Sequence, residues 1–113
     1  MKETETIIIL GASENPLRPS YMANQLLKNK GYNTLVIDDM NMSYLSQKKG
    51  QTVSIFLKPN QQKKYYEYIL SIQPSRIIFN PGSENEEFGN LAAKKNIQVL
   101  SGCTIALIMN SML

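Results

Sequence analysis

The chain has 113 residues, with 12 lysines and arginines against 9 aspartates and glutamates, a formal net charge of +3. It contains no histidine, which excludes Ser-His-Asp and Cys-His catalysis, imidazole metal sites and phosphohistidine chemistry. Its one cysteine excludes zinc sites built from several cysteines, and its length predicts a single domain, residues 1–113, with its own hydrophobic core.

The chain contains five short apolar segments that are rich in β-branched residues. They lie at residues 6–10, 34–37, 52–57, 76–79 and 97–100. Runs that do not alternate between polar and apolar residues are typical of strands buried on both faces. Because helical patterns separate them, we expect parallel strands joined by crossovers. The predicted fold is an α/β, Rossmann-like three-layer sandwich with a five-stranded parallel sheet of order 3-2-1-4-5.

Helix signals occupy most of the intervals between the strands. The predicted helices lie at about residues 20–30, 60–72 and 83–96 and from 104 onward. Asn60 is the predicted cap of the second helix. The third has a predicted capping box, in which Ser83 accepts from the amide of Glu86, and Asn96 provides a left-handed stop. Residues 38–51 are polar and irregular, which predicts a loop with one short helical turn as the second crossover.

The loop after the first strand has the features of an anion site. In an open parallel sheet, ligands bind where the strand order reverses, which for order 3-2-1-4-5 is between strands 1 and 4. Gly11 lets the backbone approach a phosphate, Ala12 and Ser13 keep the crevice open, and Arg18 supplies a guanidinium at the helix start. Only one glycine of G-x-G-x-x-G is present, so this is not the dinucleotide fingerprint. A rigid turn without a ligand is the alternative interpretation.

Several motifs resemble the signature of the small CoA-binding-domain proteins, which are single-domain relatives of the N-terminal domain of the succinyl-CoA synthetase α subunit. The similarity covers nearly the whole chain. The motifs are Gly11-Ala12-Ser13, Asn15-Pro16, Arg18-Pro19-Ser20-Tyr21, Tyr65-Tyr66, Asn80-Pro81-Gly82-Ser83-Glu84-Asn85 and Gly102-Cys103-Thr104. The resemblance implies a Rossmann-like CoA-binding fold. It also implies binding rather than catalysis, since the phosphohistidine chemistry of the synthetase is impossible here.

This resemblance implies non-enzymatic binding of CoA or an acyl-CoA in the crevice at the C-terminal ends of strands 1 and 4. The implied ligand-binding residues are Gly11, Ala12, Ser13, Asn15, Pro16, Arg18, Ser20, Tyr21, Lys58, Pro59, Asn80, Pro81 and Gly82. Ser13 and the amides around it would hold the pyrophosphate, and Arg18 would add a charge-assisted contact. Lys58 would offer charge, and Pro59 an apolar edge against adenine.

The residues after the second strand depart from the family pattern. Relatives often have a loop there that carries glycine and arginine, whereas this chain has Asp38-Asp39. These carboxylates would repel the 3′-phosphate of CoA, and an acidic residue at the end of strand 2 suits a free ribose hydroxyl pair. Asp38 is therefore a candidate nucleotide-binding residue. Three alternatives stay open, namely another adenine nucleotide such as NAD, a degenerate domain with a regulatory or protein-interaction role, and an enzyme that uses Cys103 or Ser13 covalently.

Other features of the chain favour a cytoplasmic binding protein for a small molecule. Lysine pairs are scattered rather than clustered, which argues against nucleic acid. No apolar stretch approaches the roughly 18 residues of a membrane span, and the first residues do not resemble a signal peptide. Cys103 is predicted to be an inert core thiol. A homodimer is compatible with this size, although no patch identifies a dimer face.

Overall fold

A computed structural model of the chain describes residues 6–37 and 51–112. Within them, five strands form one parallel sheet, which confirms the α/β Rossmann-like class. The strands are β1 (Thr6–Leu10), β2 (Asn33–Ile37), β3 (Thr52–Ile55), β4 (Arg76–Phe79) and β5 (Gln98–Ser101). The helices are α1 (Pro19–Asn29), α2 (Tyr66–Ser71), α3 (Glu86–Lys94) and α4 (Thr104–Met109). Asp38 and the second crossover, whose conformation the sequence predicts, lie outside the described residues.

Two apolar layers cover the sheet, one on each face. Alternate residues of β1 point to opposite faces: Ile8 packs in the cluster of α2 and α3, and Ile9 packs in the cluster of α1 and α4. All five β1 residues are buried, as the unbroken apolar run predicts, whereas β5, at one edge of the sheet, is partly exposed. No helix in the described part of the chain is long and apolar enough to cross a membrane.

The strand order is 2-1-3-4-5, so the predicted order 3-2-1-4-5 is wrong in the position of the third strand. β3 lies between β1 and β4, and all four of its residues are buried. Its polar side chains tolerate burial because each has a partner: the Ser54 hydroxyl lies 2.7 Å from the Thr104 hydroxyl, and Thr52 Oγ1 accepts from Arg76 Nε at 2.7 Å. The strand order therefore reverses at β1 and β3, and β2 forms an edge.

The helix predicted at residues 60–72 is divided. Two short 3-10 turns, Pro59–Gln61 and Lys63–Tyr65, precede α2, and Asn60 lies inside the first turn rather than capping a helix. The cause is Gln62, whose fully buried amide donates to Leu57 O at 2.9 Å and to Ser83 O at 2.8 Å. These bonds tie the loops after β3 and β4 together. They also prevent residues 59–65 from forming a regular α-helix.

The start of α3 differs from the predicted capping box. The cap is Asn85, whose Oδ1 accepts from the amide of Phe88 at 3.0 Å. Ser83 is instead buried, and its hydroxyl lies within hydrogen-bond distance of the carbonyls of Ile55 and Asn80. The helix end is as predicted: Asn96 adopts the left-handed conformation with φ of +63°.

Asn85 also joins a polar network between α2 and α3. Its Nδ2 donates to Gln62 Oε1 at 3.0 Å and to the Tyr66 hydroxyl at 2.8 Å. The Tyr66 hydroxyl in turn donates to Glu87 Oε1 at 3.0 Å. Burial raises the pKa of Tyr66, with a further rise from Glu87, so the hydroxyl keeps the proton that it donates. One side chain therefore caps α3 and ties its start to the 3-10 turns and to α2.

Replacement of this side chain tests the network. We expect Asn85→Ala to lower the free energy of unfolding by about 2 kcal/mol, because the helix loses its cap and Gln62 Oε1 loses a donor. Urea denaturation followed by circular dichroism measures the loss. Asn90→Ala, at an exposed position of the same helix, is the control and should change stability by no more than about 0.5 kcal/mol. Equal losses in the two variants would contradict the assignment.

Candidate functional site

The turn after β1 depends on a glycine. Gly11 has a φ of +93°, a conformation that L side chains rarely adopt, and a Cβ at this position would lie 2.9 Å from the backbone nitrogen of Leu57. The loops that follow β1 and β3 are therefore in direct contact. This contact fixes the floor of the site at the point where the strand order reverses.

The rest of this loop is held by its own side chains. Ser13 Oγ accepts from the amide of Asn15 at 3.0 Å, and Asn15 Oδ1 accepts from the amide of Leu17 at 3.0 Å. The amide of Arg18 donates to Asn15 O at 3.0 Å, and Pro19 then begins α1. Arg18 is thus an exposed cation on a rigid turn at the start of a helix. Asn15 shapes the loop, and its Oδ1 is already used within it.

Two crevices open on either side of this loop. The β4 crevice, of ≈ 210 Å³, is lined by Gly11, Ser13, Arg18, Pro19, Ser20, Phe56, Asn80, Pro81 and Cys103. The β2 crevice, of ≈ 530 Å³, is lined by Gly11, Ala12, Ser13, Glu14, Tyr21, Asn24, Val36, Ile37, Leu57 and Tyr65. Gly11 and Ser13 line both crevices. The two spaces therefore meet at the loop that the sequence predicts to be an anion site.

Asn80 forms the wall of the β4 crevice. Its Nδ2 donates to Ser54 Oγ at 3.0 Å and to Ile55 O at 2.8 Å, and its Oδ1 accepts from the amide of Thr104 at 2.8 Å. The residue is almost completely buried, and its amide holds β3, β4 and the start of α4 together. Asn80 therefore shapes the crevice, because its side-chain atoms are already engaged in the protein.

The charges at the two crevices differ. Arg18 is the one charged side chain among the described residues that line the β4 crevice. Among the described residues that line the β2 crevice, the one charged side chain is Glu14, and the other walls are apolar, aromatic, hydroxyl or amide groups. Asn24 Oδ1 is buried there, and no described residue provides it with a hydrogen-bond partner. The arrangement suits an extended ligand with an anionic centre near Arg18 and a less polar group that offers N–H donors on the β2 side.

The structure brings eight of the predicted binding residues to the two crevices. These are Gly11, Ala12, Ser13, Arg18, Ser20, Tyr21, Asn80 and Pro81. Lys58 and Pro59 are exposed beside the β2 crevice but do not line it. Pro16 is also exposed outside both crevices. Gly82 lies outside them as well, and its amide donates to Glu84 Oε1 at 2.9 Å.

Sequence reasoning missed several wall residues. Phe56 and Leu57 belong to the predicted third strand, but that strand ends at Ile55 and both side chains line the crevices. Their position at the C-terminal end of an apolar run was the available signal, since such residues lie at the ligand-binding edge of a parallel sheet. Cys103 is half-buried in the β4 crevice, so its assignment as a core thiol is wrong. Its backbone is extended because it precedes the first turn of α4.

Comparison with known proteins gives one family and several similar folds. The family model described as "CoA binding domain" matches residues 5–109. The crystal structure of an uncharacterized protein has a TM-score of 0.84 and 28% sequence identity, covering 97% of this chain and 98% of that chain. A protein from Thermus thermophilus has a TM-score of 0.78 and 17% identity, covering 98% of this chain and 92% of that chain. A hypothetical protein from Pyrococcus horikoshii OT3 has a TM-score of 0.78 and 16% identity, covering 96% of this chain and 84% of that chain. No curated protein matches the sequence.

Two glycines with the same backbone conformation test the contact between the loops. Gly11 and Gly82 both have a φ of +93°, but a Cβ at Gly82 would meet no atom within 4 Å. We expect Gly82→Ala to cost about 1–2 kcal/mol of unfolding free energy from backbone strain alone. Gly11→Ala should cost about 1–3 kcal/mol more, because the new methyl group collides with the Leu57 backbone. Chemical denaturation measures both, and equal losses would show that the loops do not touch.

Proposed function

The chain belongs to the CoA-binding domain family, and we propose that it binds CoA or an acyl-CoA, without catalysing a reaction, where β1, β3 and β4 end. The observation that carries the proposal is the position of the Gly11–Ser13 turn between two crevices. CoA has the matching construction, since a diphosphate joins an adenosine to a long, uncharged pantetheine arm. The diphosphate would lie against the turn, and each end of the ligand would enter one crevice.

The walls of the crevices support this orientation of the ligand. The β2 crevice is the larger one, and Tyr21, Leu57 and Tyr65 give it flat or apolar surfaces suited to a purine. An exocyclic amine of the base would supply the hydrogen-bond donor that Asn24 Oδ1 lacks among the described residues. The narrower β4 crevice suits the pantetheine arm, whose end would approach Cys103. Arg18 would contact the diphosphate with a charge-assisted hydrogen bond.

The non-enzymatic part of the proposal is supported by the chemistry of the β4 crevice. The described side chains that line it include a guanidinium, a thiol and hydroxyl groups but no carboxylate. The chain has no histidine, and the Asn80 amide is engaged inside the protein. Imidazole and carboxylate, the groups that most often perform general acid–base catalysis, are thus missing from the described lining of this crevice. We infer a protein that holds or presents the ligand.

A thermal-shift series separates this function from the alternatives. CoA, acetyl-CoA, NAD, NADP and ATP are each added to the protein at increasing concentration. A ligand at 100 times its Kd adds about 2.7 kcal/mol to the free energy of unfolding, which raises the melting temperature of a domain this size by several degrees. We expect shifts with CoA and acetyl-CoA that exceed the others. A larger shift with NAD would favour another adenine nucleotide, and no shift with any ligand would overturn the proposal.

A matched pair of substitutions tests the anion site. We expect Arg18→Gln to weaken CoA binding by about tenfold in calorimetric titration, because one charge-assisted contact to the diphosphate is lost. Lys28→Gln is the control, since Lys28 is an exposed cation in the last turn of the same helix. This control variant should bind CoA as the unaltered protein does. Equal affinities of the two variants for CoA would show that Arg18 does not contact the ligand.

A further inference from the structure

A third cleft adjoins the β2 crevice on the side of the 3-10 turns. This lysine cleft, of ≈ 640 Å³, is lined by Leu57, Asn60, Gln61, Lys63, Lys64 and Tyr65. No acidic side chain is among the described residues that line it. Its charged groups are two ammonium groups from neighbouring residues of one short turn. The described lining of the cleft is therefore cationic.

The lysine cleft lies next to the proposed nucleotide site. Leu57 and Tyr65 line both this cleft and the β2 crevice, so the two spaces share a wall. Leu57 is also the residue whose backbone contacts Gly11 at the loop between the two crevices. The turn at Gly11, the β2 crevice and the lysine cleft consequently lie next to one another, with Leu57 and Tyr65 between the crevice and the cleft.

The turns that carry the two lysines are anchored to the core. Gln62 lies between the turns and is fully buried, with its amide bonded to Leu57 O and Ser83 O. Tyr65 is buried, and Lys64 Nζ lies 5.4 Å from the centroid of its ring. The backbone that bears the ammonium groups is thus fixed relative to the shared wall, which reduces the entropy cost of binding an anion there.

We propose that the lysine cleft binds the 3′-phosphate of CoA through Lys63 and Lys64. This inference rests on the proposed function, because the adenosine must lie in the β2 crevice for its ribose to face the shared wall. A phosphomonoester carries nearly two negative charges at neutral pH and is well matched to two ammonium groups. The sequence after β2 offers two carboxylates, Asp38 and Asp39, and no arginine or lysine before Lys48. Lysines on the β3 side would provide the positive charge that this segment does not.

The experiment compares two ligands that differ in this phosphate alone. CoA and dephospho-CoA are titrated calorimetrically into the protein, the K63Q/K64Q variant and the K94Q/K95Q variant. The last is the matched control, an adjacent lysine pair at the far end of α3. We expect the unaltered protein to bind CoA roughly tenfold more tightly than dephospho-CoA, the effect of one charge-assisted contact. K63Q/K64Q should lose this preference and keep its affinity for dephospho-CoA, whereas K94Q/K95Q should keep the preference.

Salt dependence gives a second measurement of the same contact. The preference for CoA should fall as sodium chloride is raised from 50 to about 500 mM, because exposed charges are screened. Equal affinities for the two ligands in the unaltered protein, or a preference that persists in K63Q/K64Q, would overturn the assignment of the lysine cleft and leave CoA binding intact. Failure of both ligands to bind would overturn the proposed function, and this inference with it.

Discussion

The side-chain amide of Asn80 connects the elements that surround the candidate site. It donates to Ser54 and to Ile55 O in β3 and accepts from the first amide of α4, while the Asn80 carbonyl accepts from Ser83. These bonds form at the C-terminal edge of the sheet, where strands end and backbone groups would otherwise lack partners. A neutral polar group is suited to this place, because it satisfies several partners without the cost of burying a charge. The β4 crevice exists because this group keeps the ends of β3 and β4 and the start of α4 in register.

The central position of β3 follows from the same polar chemistry. Ser54 receives the Asn80 Nδ2 hydrogen and lies beside the Thr104 hydroxyl, so its burial costs little. β3 lies between β1 and β4, so the residues that follow it line the site. Phe56 lines the β4 crevice and Leu57 lines the β2 crevice. In the predicted order, with strand 3 at the edge, neither residue would reach the reversal point. The strand order thus decides which side chains form the walls, although the reversal rule itself holds for both orders.

The unbroken apolar runs were sufficient to predict the strands and their parallel direction, but not the strand order or the loops. The bounds of β1 and β4 coincide with the apolar runs at residues 6–10 and 76–79, because a strand buried on both faces needs an unbroken run. The regular helix expected at residues 60–72 does not form, because Gln62 is buried. Burial depends on tertiary contacts, which local helix propensity does not take into account. Ser83 does not cap the third helix, and the reason is again a tertiary contact. Its sequence context fits a capping box, yet its hydroxyl lies against the carbonyl of Ile55 in β3 and that of Asn80 just after β4.

The candidate site divides its polar residues into two groups by charge. Neutral amides and hydroxyls, such as Asn80, Gln62 and Ser83, are buried and bond to the protein itself. Charged side chains such as Arg18 and Lys63 stay exposed at the rims of the crevices. A resemblance read along the chain does not separate these groups, which is why Asn80 and Arg18 were predicted alike as ligand contacts. The physical distinction is that a buried amide gains its hydrogen bonds on folding, whereas an exposed cation keeps its charge for a ligand. In the proposed complex, recognition would therefore depend on the rim cations, and the buried amides would hold the elements that carry them.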